Sequence, residues 1–150
     1  MSSRYYGDEF YGIVLEDYPV PTLENIEKYI KEYGPDDLKS ILLDDNGKIK
    51  AKSIDELKDM CCSIDCSSYD ESYILAKGIE KECGLRTGIF YDNSNYDCFC
   101  VGIPPVYPFS KIENFKSREE IDEIFEKHVK AFYQTELEVS PGYESAVIWG

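Results

Sequence analysis

The chain has one histidine, His128, in 150 residues. That scarcity removes most mixed Cys/His zinc sites. It also means that a Cys–His nucleophile would have to be organised around His128 alone, since the thiol needs a base within hydrogen-bond reach. Ile124, Phe125, Val129 and Phe132 share its helical stripe, so the residue type and position favour a core histidine over a catalyst. Bases are scarce as well. Sixteen Lys and Arg stand against thirty Asp and Glu, for a net charge of −14. The excess is distributed, with seventeen acids and eight bases in residues 1–75 and thirteen and eight in residues 76–150. Such a field repels nucleic acid and anionic membranes and attracts basic partners. The densest basic group, Lys48, Lys50 and Lys52, is too small for a phosphate track; its alternation suits a solvated sheet edge.

Other absences narrow the field further. No apolar run approaches the ~20 residues of a membrane-spanning helix. The opening Met1-Ser-Ser-Arg-Tyr-Tyr-Gly-Asp-Glu9 has no apolar h-region, so no signal peptide and a cytoplasmic location are expected. There is no Gly-x-Ser-x-Gly elbow, P-loop or Gly-x-Gly-x-x-Gly turn. Asp44-Asp45-Asn46-Gly47 resembles the middle of a calcium loop, but the register puts Leu42 and Ser53 where carboxylates are required. Six cysteines (Cys61, Cys62, Cys66, Cys83, Cys98, Cys100) invite a disulfide reading, which a cytoplasmic location opposes. Cys62-x3-Cys66 and Cys98-x-Cys100 do not have the familiar zinc-knuckle spacing. Buried free thiols, no metal and no cofactor are expected.

What is present is ample material for one domain over residues 1–150, with 43% hydrophobic residues and 14% aromatics. The segment 87–103 has the pattern of a β-hairpin, two aromatic and β-branched runs around Asp92-Asn93-Ser94-Asn95. Its second arm is uncharged on both faces after Asp97, as in a strand covered on both sides, so this hairpin is expected at the middle of the fold. Residues 8–16 suggest a first strand, with Tyr11, Ile13 and Leu15 on one face, ended by Pro19 and Pro21. Thr22 caps a helix to about Tyr33 through Leu23, Ile26, Ile30 and Tyr33, stopped by Gly34-Pro35. Glu24–Lys28 and Glu27–Lys31 are i,i+4 pairs of a solvated face. Asn46-Gly47 between apolar runs favours a hairpin over residues 40–51, against a competing short helix from Asp36 to Leu43. Three Ser-x-x-Glu capping boxes, at Ser53/Glu56, Ser68/Glu71 and Ser117/Glu120, open three more helices. The second runs to Cys83. The third is the longest, with a stripe of Ile121, Ile124, Phe125, His128, Val129 and Phe132. Thr135 to Trp149 suggests a last hairpin around Ser140-Pro141-Gly142. Hairpins without βα alternation predict an α+β fold, a mostly antiparallel sheet with about four helices packed on it.

The residues with something to offer a partner are acidic. Asp55, Glu56, Asp59, Asp65, Asp70 and Glu71 face one base, Lys58, with Tyr69 and Tyr73 alongside; tyrosine suits interfaces by joining area to a polar tip. Glu119, Asp122, Glu123 and Glu126 form a second acidic face on the longest helix. In gross properties the chain resembles small acidic inhibitors that occupy basic nucleic-acid-binding grooves, such as phage anti-restriction and anti-CRISPR proteins and the immunity proteins of nuclease toxins. The resemblance is one of composition. It implies a non-enzymatic inhibitor whose carboxylates stand in for phosphates on a basic protein partner. The other readings are a small enzyme using a cysteine or carboxylate near the central hairpin, and an adaptor whose tyrosines carry the contact.

Overall fold

The computed structural model describes residues 5–15, 18–64, 71–92, 98–103, 117–134, 139 and 141–149. The order of elements is β1 (Tyr5–Val14), α1 (Leu23–Tyr33), α2 (Asp36–Leu42), α3 (Ile54–Ile64), α4 (Ser72–Cys83), β2 (Gly88–Asp92), β3 (Cys98–Ile103), α5 (Arg118–Tyr133) and β4 (Gly142–Trp149). Helices dominate: five lie among the described residues, and 63% of the residues described down to their side chains are helical. The expectation of an α+β fold that is mostly antiparallel sheet is therefore overturned. Four strands among the described residues pair antiparallel in the order β2-β3-β1-β4, and β2 and β3 of this sheet meet the helices at α4.

The helical body is built round α4. Ser72, Ile74, Leu75, Ala76, Gly78, Ile79 and Cys83 are all buried, so the helix is enclosed on most of its circumference. It touches α1, α5, β2 and β3. Small side chains permit this crowding, most of all Gly78, whose missing Cβ would lie 2.1 Å from the Tyr29 hydroxyl of α1. The 87–103 hairpin forms, with Tyr91 opposite Phe99 and Asp92 opposite Cys98. Its second arm β3 lies between β2 and β1, as an interior strand should, while β2 is an edge. The middle of the molecule, however, is a helix.

Local rules account for the helix ends. Thr22 Oγ1 accepts the Asn25 N–H at 3.2 Å and Ser117 Oγ accepts that of Glu120 at 3.2 Å. Ser53 Oγ does the same for Glu56 at 3.1 Å, and the Glu56 carboxylate reaches back to the Lys52 N–H at 3.3 Å rather than to that of Ser53. Ser68 lies outside the described residues, and α4 starts at Ser72 with no side-chain cap from Glu71. Gly84 closes α4 in the left-handed region (φ 74°).

Residues 36–51 take the competing form. Asp36–Leu42 is helical, because Pro35 presets the entry dihedral and Asp36 and Asp37 suit the positive end of the helix. Asn46-Gly47 does make a turn, with Gly47 at φ 77°, but only a single bridge between Leu43 and Ile49 forms across it. Asp44 explains the turn: its Oδ1 accepts the N–H groups of Asn46 and Lys48, each at 2.9 Å. Lys48, Lys50 and Lys52 are thus exposed loop residues and not one face of a strand. In the last hairpin, residues 135–138 and 140 fall outside the described set. β4 finds its partner in β1, from Tyr5 opposite Trp149 to Gly12 opposite Gly142.

Two side chains of α1 that simple periodicity passes over do most to join the helices. Tyr29 is 2% exposed and Asn25 is buried beside it. Asn25 Nδ2 donates to the carbonyls of Ala131, at 3.0 Å, and Phe132. Those carbonyls belong to the last turn of α5, which has no intrahelical donors for them. Asn25→Ala removes the donor from two carbonyls, and a loss of about 2 kcal/mol is expected in chemical denaturation. A loss under a few tenths would mean that water replaces the amide freely. Glu27, placed by its spacing on a solvated face, is in fact a brace. Its Oε1 accepts the Ile49 N–H at 2.8 Å, and Lys31 and Lys48 lie within 4 Å of its Oε2. The backbone hydrogen bond first, and the two lysines after it, hold its carboxyl below the usual range despite some burial.

Candidate functional site

The acidic residues singled out by sequence separate into three groups. Asp55, Glu56 and Asp59 are exposed on α3, and Glu119 and Glu123 are exposed on α5. None of these five forms an ion pair among the described residues, whereas Glu24, Glu27, Glu80, Glu82 and Glu126 each meet a lysine within 4 Å. Asp55 and Asp59 are one turn apart, as are Glu119 and Glu123, so the carboxylates of each pair stand roughly 6 Å apart along the helix axis. A second group is committed elsewhere. Glu71 is buried, 7% exposed, and cannot present a carboxylate to a partner. Asp122 accepts a short hydrogen bond from the Tyr11 hydroxyl, to which Arg118 Nε donates at 3.1 Å, so it fastens β1 to α5. Glu126 pairs with Lys130 at 3.0 Å. Tyr73 is half-buried under Lys77, whose ammonium lies 5.4 Å from the ring centre. The third group, Asp65, Tyr69 and Asp70, lies outside the described residues.

Tyr73 also lines an open cleft of about 390 Å³ between α2, the end of α3 and α4, with Leu38, Ile41, Ile64, Lys77 and Lys81. Ile41 is 43% exposed there. Lys77 pairs with Glu80 and Lys81 donates to the Gly34 carbonyl, while Asp37, also on the cleft, is exposed and accepts the Leu38 N–H.

The most developed polar arrangement lies in the interior. Tyr29 from α1, Glu82 from α4 and His128 from α5 form a row. The Tyr29 hydroxyl is 2.7 Å from His128 Nδ1 and 3.3 Å from the Leu75 carbonyl. His128 Nε2 is 3.4 Å from Glu82 Oε1 without a well-formed hydrogen bond, and the same oxygen accepts from Lys127 at 2.7 Å. Tyr33 covers the imidazole, ring centres 4.4 Å apart, and Lys127 lies over the Tyr33 ring. Burial pushes His128 below its ordinary value, a shift that Glu82 opposes but does not cancel. Partial burial works against Glu82 ionising, yet Lys127 and then His128 outweigh it and leave its carboxyl low.

The chain matches no protein-family model, no curated protein and no solved structure.

Its chemistry must therefore be judged on this geometry. A carboxylate, an imidazole and a hydroxyl in line have the order of a nucleophilic relay, but the hydroxyl is sealed. Tyr29 is 2% exposed, and its oxygen abuts Gly78 and the Leu75 carbonyl of α4. Burial also holds the Tyr29 phenol well above its usual range, so it stays protonated. The row is a structural tie among three helices. Of the cysteines with described side chains, Cys61 and Cys83 are buried, the Cys83 thiol accepting the Leu85 N–H at 3.4 Å at the end of α4, whereas Cys62 is exposed on α3, against the expectation of buried thiols throughout. Among the described residues no group of three or more His, Cys, Asp and Glu is placed to hold a metal ion. No described helix is long and apolar enough to cross a membrane.

Sequence reasoning located His128 in the core but not its partners. Glu82 and Tyr29 are 46 and 99 residues away from it and carry no local mark of the contact.

Proposed function

We propose that this is a non-enzymatic acidic binding protein that inhibits a basic nucleic-acid-binding or nuclease partner by presenting carboxylates where the partner expects phosphates. The observation that carries this reading is the set of exposed, uncompensated acids on α3 and α5 in a chain of net charge −14. Glu24 on α1 and Glu126 on α5, by contrast, are each paired with a lysine one turn away. The two short rows on α3 and α5 are left open. Each gives a guanidinium or ammonium group a pair of acceptors at fixed separation on a rigid helix. Tyr73, at the edge of the α2–α4 cleft, adds apolar area on the α3 side. Phage anti-defence proteins and toxin-immunity proteins are the classes this behaviour fits.

The test is capture from lysate at low salt on immobilised protein, followed by a salt gradient. A basic nucleic-acid enzyme is expected to elute as salt rises and to be displaced by DNA. The quadruple variant Asp55→Lys, Asp59→Lys, Glu119→Lys, Glu123→Lys is expected to lose at least about tenfold in affinity, mostly through slower association. Its unfolding midpoint should scarcely move, because surface sites of this kind shift stability by only about 0.5 kcal/mol each. Binding indifferent to both salt and charge reversal would rule out phosphate mimicry.

A further inference from the structure

The Tyr29–His128–Glu82 row takes no part in the surface binding proposed above, yet its atoms have a place for a second proton. Glu82, an ionised carboxylate, can only accept, so in neutral His128 the hydrogen belongs on Nε2, which faces it at 3.4 Å. Nδ1 is then a lone pair, and the Tyr29 hydroxyl at 2.7 Å donates to it. A proton added to Nδ1 would set two donors against each other were there nowhere for the hydroxyl to turn. There is such a place. The Leu75 carbonyl lies 3.3 Å from the same oxygen, so the hydroxyl can donate to it while its oxygen accepts from Nδ1–H. The new positive charge at the far side of the ring faces Glu82.

We infer that the junction of α1, α4 and α5 is a proton-operated device, in which protonation of His128 turns the Tyr29 hydroxyl from Nδ1 to the Leu75 carbonyl and draws Glu82 away from Lys127 towards the imidazolium. One proton is taken up from solvent and none is released. The Glu82 side chain is 33% exposed while that of His128 is 0%. The charged and titratable groups that act on the ring are Tyr29, Glu32 and Tyr33 from α1, Glu82 from α4 and Lys127 from α5 itself. Glu82 and Glu32 favour the imidazolium; burial and Lys127 oppose it. The outward effect is at Lys127. It loses its closest acceptor and is left on the Tyr33 ring, while the ionic tie between α4 and α5 passes inward to the Glu82–imidazolium pair.

Stability follows with a definite sign. The folded protein binds this proton less readily than the unfolded chain, so the His128 contribution is present in full above the ordinary histidine value of 6.5. It is lost as pH falls through the lower value of the folded state.

Because His128 is the sole histidine, its ring nitrogens can be followed without ambiguity by ¹⁵N NMR, with the amide spectrum recorded at each pH. The expected results are an Nε2–H ring at neutral pH and a doubly protonated ring in acid while the amide spectrum stays native. The Tyr29 ring signals should move with the same midpoint, and Glu82→Gln should shift that midpoint to lower pH. Three results would overturn the inference: an Nδ1–H ring at neutral pH, a ring that stays neutral until the amide spectrum collapses, or a midpoint unmoved in Glu82→Gln. Thermal unfolding gives a second readout, since His128→Gln should flatten the decline of Tm on the acid side of neutrality. An unchanged decline would place the pH dependence elsewhere and count against the device.

Discussion

Gly78→Ala is expected to destabilise the protein by about 2–3 kcal/mol. The sign is what makes the measurement informative. At an ordinary position inside a helix the same change stabilises by about 1 kcal/mol, because alanine is the best helix former and glycine among the worst. At Gly78 the added Cβ would lie 2.1 Å from the Tyr29 hydroxyl, 2.8 Å from Cζ and 3.0 Å from Cε1. Tyr29 cannot easily yield. Its ring is 2% exposed and held edge-on by Phe132, with centres 5.2 Å apart, and its hydroxyl is fixed by His128. Either α1 moves off α4 or the Tyr29–His128 bond breaks. Urea unfolding of Gly78→Ala, Tyr29→Phe and the double variant separates the two contributions. The double variant should recover part of the loss, with a coupling of about 1 kcal/mol or more, because Phe removes the oxygen and leaves the ring carbons. Gly78→Ala equal to or more stable than the parent would show that α1 and α4 do not approach as closely as these distances require.

The second large effect is expected at Phe132, where truncation to alanine should cost about 3–5 kcal/mol. The side chain is fully buried and lies edge-on to both Tyr29 and Tyr133, with ring centres 5.2 and 4.9 Å apart. Its removal would leave a cavity where α1 meets α5, beside the carbonyls that Asn25 caps. Domains are stable by only about 5–15 kcal/mol, so Phe132→Ala should remove a large fraction of the total. A midpoint lowered by less than the equivalent of about 1 kcal/mol would mean that the site collapses around the gap, and that the aromatic contacts are not what anchors α5. The charge-reversed variant of α3 and α5 is a natural control, since it alters binding and leaves the interior untouched.

Much of the helical body is legible in the sequence. Of the stripe Ile121, Ile124, Phe125, His128, Val129 and Phe132, all but the half-buried Ile121 are buried as the spacing requires, and Ser117, Thr22 and Gly84 act as the ends their chemistry suits. These signals are local: a cap and a 3.6-residue period are complete within a dozen residues. The prediction of a sheet-dominated α+β fold fails because hairpin signals are also local but say nothing of how much of the molecule the strands make up. The turn at Asn46-Gly47 forms without a hairpin, because Asp44 satisfies the turn by itself and Pro35 with Asp36 and Asp37 commits the preceding residues to a helix.

The candidate surface divides in the same way. Composition determined that the molecule would be strongly negative, and helical spacing placed Asp55 with Asp59 and Glu119 with Glu123 on continuous faces. Only the tertiary structure decided that Glu71 is buried, that Asp122 is bound to Tyr11, and that Glu27 braces the loop at Ile49. Each of these outcomes depends on a group far away in the chain. So does the buried row at His128, whose partners come from two other helices. Residue type and periodicity determine which side of a helix turns inward. What that side meets, and whether a charge there is free, paired or buried, is set by packing that no local pattern records.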